Sequence, residues 1–211
     1  MKKIVCIVGF AVLFTAALVA QNRPEWIQNH LKYGREVYEN KSAADETKWT
    51  YEVGVSNLLS SESRSRTKAQ QALQETIATN VAGQLTKNLD RYVFSEYVDD
   101  DSIPEDALVR YEEALNLAVS VKVPKVEFLE YYTEKEELDG KKVYKTYVLG
   151  RYLTSELWDC IQAIDVDAAV EKATKKFEKA EGINIPDEME ALVKTTVKEE
   201  IVEYVDENFE L

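Results

Sequence analysis

The chain has 211 residues, with 39 acidic against 26 basic side chains and a formal charge of −13. A balance this acidic excludes broad contact with nucleic acid or anionic lipid headgroups, which requires concentrated lysine and arginine. A hydrophobic content of 45% can build a substantial core.

Lys2 and Lys3 precede an uncharged apolar run from Ile4 to Ala20, and Leu18-Val19-Ala20 ends it in a small residue before Gln21. This pattern predicts a secretory signal over residues 1–20, with cleavage removing two lysines and moving the charge from −13 to −15. The run sits at the lower limit for spanning a bilayer, so an uncleaved anchor is the alternative. Cys6 lies inside the run and not behind a lipid-attachment box, so no lipid anchor is predicted. The exported part then keeps Cys160 alone, read as a small buried hydrophobe on a helix, and its stability must come from packing rather than a disulfide.

Residues 21–48 form an N-terminal arm. It opens with Arg23-Pro24-Glu25-Trp26-Ile27, where Trp26 is placed to pin the arm to the domain, and Lys41 to Thr47 is polar and turn-like. His30, the only histidine, is read as a surface residue of the arm.

Residues 49–164 read as an α+β domain. Trp49, Tyr51, Val53 and Val55 alternate with Thr50, Glu52, Gly54 and Ser56, the period of a half-buried strand. After a turn at Ser60 to Ser63, a helix is predicted from Arg64 to Phe94, with Gly83 as its bend. Its apolar positions run Ala69, Leu73, Ile77, Val81, Leu85, Leu89 and Val93, and each step of four advances roughly 40° beyond a full turn. The first half is therefore expected on a sheet, and the second, with Leu89, Tyr92 and Phe94, against other helices. Asp99-Asp100-Asp101 lacks the spaced acids, glycine and closing glutamate of a calcium loop. Ser102, Pro104 and Glu105 instead predict a helix start, continuing to Ala118 with Leu108, Tyr111, Leu115 and Ala118 inward.

Val119, Val121 and Val123 alternate before Pro124, which ends or kinks that segment. Val126 to Thr133 and Val143 to Leu153 then read as two strands, with a hairpin turn at Asp139-Gly140. Thr154 or Ser155 caps a helix from Glu156 whose inner face takes Leu157, Cys160, Ile161, Ile164, Ala168, Ala173 and Phe177, interrupted briefly at Asp165 to Asp167. Residues 165–211 form a helical extension in which Gly182 stops one helix and Asp187 starts the last, its stripe running from Met189 through Val193 and Val197 to Val205. The fold class is thus α+β: a small antiparallel sheet packed against a long helix, followed by a C-terminal helical hairpin that covers its own domain by default.

A catalytic reading finds little support. One histidine and one exported cysteine give no nucleophile with a base, zinc spacings are missing, and the scattered glycines form no phosphate loop. The acids Glu134, Glu136 and Glu137, or Glu199 and Glu200, read as solvated surface. No catalytic, cofactor-binding or metal residue is predicted, and no enzyme. The better hint is tyrosine: Tyr131, Tyr132, Tyr144, Tyr147 and Tyr152 crowd one hairpin, either as an aromatic core or as a candidate partner-binding surface for proteins or sugars.

The export signal, Pro24-Glu25-Trp26, the strand ending Tyr51-Glu52-Val53-Gly54-Val55-Ser56, the Ala69-to-Leu85 helix and Lys145-Thr146-Tyr147-Val148-Leu149-Gly150-Arg151-Tyr152 together resemble a bacterial envelope family. It is the small "twenty-kilodalton" lipoprotein family, whose domain is similar to the amino-terminal domain of flagellar assembly protein T. The resemblance covers roughly Pro24 to Ile164. It implies a non-catalytic α+β module of the periplasm or outer membrane that binds an envelope protein or itself, with a flagellar association in scope and no catalytic residues to carry over. A lipid-acceptor cysteine after the signal and a place for residues 165–211 are both missing from the match. Peripheral membrane association stays open, and a periplasmic ligand or glycan binder is the alternative function.

Overall fold

The computed structural model describes residues 23–33, 49–95, 97, 103–119 and 122–209. The expected signal, the polar part of the arm, the Asp99 run and the Ser102 cap lie outside the described residues. Among the described residues no helix is long and apolar enough to cross a membrane.

In chain order the elements are α1 (Glu25–Tyr33), β1 (Trp49–Val55), α2 (Glu62–Thr86), a π-helical turn at Asp90–Phe94, α3 (Glu105–Ala118), β2 (Glu127–Leu138), β3 (Lys141–Leu153), α4 (Thr154–Gln162), α5 (Val166–Glu181) and α6 (Asp187–Phe209). The class is α+β, with a three-stranded antiparallel sheet of order β1-β3-β2. Asp139 and Gly140 turn the hairpin with φ of 51° and 72°, the left-handed pair that a tight two-residue connection needs. β2 runs five residues past the expected Thr133 to Leu138, because β3 supplies register partners for those polar residues up to Lys141.

Helix α2 lies on one face of the sheet, burying Ala69, Leu73, Ile77, Val81 and Leu85 against Val148 and Tyr152. Two glycines permit the approach. A Cβ on Gly54 would stand 2.2 Å from the Ala69 carbonyl oxygen and 2.5 Å from Leu73 Cβ, and one on Gly150 would stand 2.8 Å from Leu73 Cδ1. At the start of α2 a buried hydroxyl cluster ties helix to sheet. Ser65 Oγ lies 2.7 Å from Ser56 Oγ and donates to Thr146 Oγ1 at 2.8 Å, and Thr133 Oγ1 lies 3.1 Å from Thr146 Oγ1. Ser61 caps the helix by accepting from the Arg64 N–H.

The helix ends at Thr86, not at a bend on Gly83, which is exposed with open space around its Cα. The chain turns at Lys87-Asn88, where both residues reach Glu200 of α6: Asn88 Nδ2 donates to Oε1, and Lys87 Nζ lies 3.4 Å from Oε2. Leu89, Val93 and Phe94 then enter a second core with α3, α5 and α6, made of Leu108, Tyr111, Leu115, Val170, Phe177, Met189, Val193 and Val197 among others. Tyr92, expected inward, is exposed, because the π-helical turn rotates it away from Val93 and Phe94. Tyr111 sits at the centre of this core, its ring centroid 6.0 Å from Phe94 and 5.2 Å from Phe177, with its hydroxyl 2.7 Å from Thr174 Oγ1.

The expected helix from Glu156 is two helices. Asp165 caps α5 by accepting from the Ala168 N–H at 3.1 Å, so the interruption is a full break. Helix α4 starts at Thr154 without a side-chain cap, and the Thr154 hydroxyl instead meets Thr50 Oγ1 at 3.0 Å. Gly182 ends α5 in the left-handed conformation, φ 70°. Helix α6 carries its stripe into both cores: Met189, Val193 and Val197 into the helical one, Tyr204 and Val205 against the sheet one, and Ile201 against both. The segment from Lys122 to Val126 is neither strand nor helix, and Val121 of the valine alternation lies outside the described residues.

The two glycines of the sequence pattern separate cleanly by context. Gly54→Ala drives a methyl into backbone and should cost about 3 kcal/mol. Gly83→Ala, on an open helix face, should add up to about 1 kcal/mol. Urea unfolding of the two variants checks both, and equal midpoints would show that α2 does not rest on Gly54.

Candidate functional site

Side chains alternate across a strand, so the hairpin tyrosines divide by face. Tyr132 pairs with Tyr147, and their rings lie 6.4 Å apart on the face away from α2. Helix α1 covers that face, burying Trp26 and Ile27 with Val53, Tyr147 and Leu149. Trp26 therefore anchors the arm as expected, and its indole N–H donates to Glu130 Oε2 at 3.0 Å. Tyr131, Tyr144 and Tyr152 belong to the α2 face. Of these Tyr152 is buried, and burial holds its phenol well above the ordinary value. Tyr144 is half-buried, with Lys135 Nζ 5.9 Å from its ring centroid.

The five tyrosines thus form no single surface: two are in cores, two are half-buried, and Tyr131 is exposed. Tyr131 stands in an open groove of about 620 Å³ between β2 and the first turns of α2, lined also by Glu62, Ser63, Arg66, Thr67 and Gln70. Gln70 Nε2 donates to the Tyr131 hydroxyl at 2.6 Å, and the Arg66 guanidinium lies 5.7 Å from the ring centroid. Arg66 also pairs with Glu62 at 3.0 Å, so the cation is held by one turn of its own helix. Sequence reasoning missed Arg66 and Gln70. Their signal was the i, i+4 spacing with Glu62 on the polar side of α2, which becomes a site only once β2 is known to lie beside it.

The acids read as solvated surface also divide. Glu134 and Glu200 are buried at 4% exposure each, whereas Glu136, Glu137 and Glu199 are exposed. Glu134 bonds the Arg23 guanidinium, which raises the Arg23 pKa and locks the front of α1 to β2. Burial pushes the Glu52 carboxyl up, opposed by a bond from the Val53 N–H at 3.0 Å. Burial likewise pushes the Tyr111 phenol up to about 12.

A second cavity, about 380 Å³, lies where α3 meets the α4–α5 junction, lined by Ala118, Lys122, Cys160, Ala163, Ile164 and Ala169 among others. Cys160 is half-buried there, and burial pushes its thiol up, away from the nucleophilic thiolate. Among the described residues no three His, Cys, Asp or Glu side chains converge as a metal site. No protein-family model, curated protein or solved structure matches this chain.

His30, expected at the surface, is half-buried on α1, and its Nδ1 is buried without a hydrogen-bond partner among the described residues. Burial lowers its pKa below the ordinary value, so the folded state binds fewer protons than the unfolded chain as the ring titrates. Stability from this group is therefore full above the unfolded pKa and falls as pH drops toward the folded one. Urea midpoints should decline on acidification from about pH 7 to about pH 6, and His30→Gln should flatten that decline; an unchanged slope would exclude His30 as the group responsible.

Proposed function

We propose that this protein is a non-catalytic module exported to a bacterial envelope, where it binds another protein. The observation that carries the reading is the division of its polar groups. Three buried ionisable side chains are engaged inside the fold, Glu134 with Arg23, Glu200 with Asn88 and Lys87, and Tyr111 with Thr174. The aromatic and polar groups of the Tyr131 groove, in contrast, face outward. Exposed tyrosine and arginine are residue types enriched at protein contacts.

The export pattern at residues 1–20 supports a periplasmic or outer-membrane-associated location. The resemblance to the twenty-kilodalton envelope family supports an assembly role, with flagellar structures among the settings to test. In this reading the C-terminal helical hairpin serves as cover for the second core, leaving association to the sheet side.

A second reading is a periplasmic glycan binder. Its specific support is that Ser63, Thr67 and Gln70 place hydroxyl and amide groups beside the Tyr131 ring, the combination that stacks and hydrogen-bonds a sugar. A thermal-shift screen against envelope saccharides separates the two readings, because a ligand of the native state raises the melting point.

Affinity purification from gently solubilised envelopes, with companions identified by mass spectrometry, tests the module directly. Tyr131→Ser should abolish recovery of the companion while the protein still unfolds cooperatively, with only the modest fall in melting temperature expected from losing the Gln70 bond. Tyr147→Ser removes a core ring and should cost about 3–5 kcal/mol of stability. Undiminished recovery with Tyr131→Ser would overturn the assignment of this groove.

A further inference from the structure

Among the described residues the sheet ends at β2, and the register states which of its backbone groups are left outward. On β3, Tyr144 exchanges backbone bonds with Leu59, at 2.8 and 2.9 Å, and the Thr146 carbonyl accepts from Ser56 N–H at 2.9 Å. The even residues of β3 thus direct their backbone toward β1, and the odd ones toward β2. Their β2 partners are Glu130, Tyr132, Glu134 and Glu136. It follows that Tyr131, Thr133, Lys135 and Glu137 point their N–H and C=O groups toward the free edge.

This edge begins past a register shift between Phe128 and Glu130 and continues to Leu138, long enough to seat an added strand. Three of its four exposed charges are acidic, although Lys142 of β3 stands opposite Glu137. Glu130, Glu136 and Glu137 are exposed on the strand, against Lys135, whose ammonium already lies 3.8 Å from Glu62. Like charges set opposite each other across a strand pair are destabilising, so a second copy of β2 is a poor occupant. A strand bearing lysine or arginine meets the same acids favourably, and the chain's charge of −13 adds long-range attraction.

Resting on the reading of the protein as an interaction module, we infer that the outer edge of β2 from Tyr131 to Glu137 receives an extended, basic segment of a partner protein as a fourth strand. Main-chain hydrogen bonds to Tyr131, Thr133, Lys135 and Glu137 give the pairing. Glu130 and Glu136 select positive side chains on one face, and on the other, which Glu137 shares, the groove beside Tyr131 and Gln70 accepts a side chain.

The probe is a short peptide of alternating lysine and valine, offered to the intact protein. Fluorescence anisotropy would follow binding, and amide hydrogen exchange would report the four outward N–H groups. Two control peptides replace the lysines by glutamate, or the valines by proline. The lysine–valine peptide should bind and slow exchange at Tyr131, Thr133, Lys135 and Glu137 by at least about tenfold, and neither control should do so. The double variant Glu136→Lys with Glu137→Lys changes exposed side chains only. It should weaken the lysine peptide by about tenfold or more and admit the glutamate one. Absence of binding at millimolar peptide overturns the inference. So does binding of the proline control, or binding that leaves the four amides unprotected. A companion recovered from envelopes that leaves these amides unprotected would also overturn edge pairing while the module reading stands; failure to recover any companion, with the peptide bound as described, would instead strike the reading itself.

Discussion

The close approach of α2 to the sheet at Gly54 is the constraint on which the rest of the structure depends. With a Cβ there only 2.2 Å from a helix carbonyl, the helix backbone itself is the packing partner, and its position leaves almost no tolerance. That fixes Leu73 over Gly54 and Gly150, and it puts Ser65 where its hydroxyl meets Ser56 and Thr146. Because the apolar line of the helix drifts by roughly 40° per step of four, one sheet cannot cover the helix along its whole length, and from Ala82 onward it also feeds a second core. Ala82 already belongs to the second core, one residue after Val81 in the first. A long helix on a small sheet therefore requires further helices. Met189, Val193 and Val197 of α6 meet that need within the chain.

Much of this was legible in the sequence because the signals are local. The alternation at Trp49 to Val55, the Asp139-Gly140 turn, the stop at Gly182 and the apolar positions of α2 each follow from a two-residue period, a left-handed turn or helical spacing. Where the reading failed, the deciding partner was distant. Gly83 is the locally plausible bend, yet α2 ends at Lys87-Asn88 because Glu200, more than a hundred residues away, receives both side chains. The acids at 134 and 200 look alike with their neighbours in sequence, and only Arg23 and Asn88 distinguish them.

The tyrosines show the limit of composition more sharply. Adjacent residues on a strand face opposite ways, so Tyr131 and Tyr132 could never share a surface. That much was in the sequence. What it withheld was that both faces are covered: α2 lies on one, and the short α1 lies on the other, held by Trp26 against Glu130 and by Arg23 against Glu134. A nine-residue helix has little stability of its own, and α1 depends on the sheet it covers. Farther along the same face, Arg151 lies 4.2 Å from the Trp49 ring centroid and bonds Glu127 at 3.0 Å, extending the polar cover beyond α1.

Covering both faces changes where recognition can occur. A three-stranded sheet with one free face would offer a flat apolar platform, and its selectivity would come from shape alone. Here the buried faces leave the rim, where backbone groups point outward and side chains are charged. Edge pairing is indifferent to sequence in its hydrogen bonds, so any discrimination must come from the flanking side chains. A rim of mixed charge would repel little and select little. A predominantly acidic rim penalises copies of itself and favours the opposite sign, so protection against self-association and choice of partner arise from the same residues.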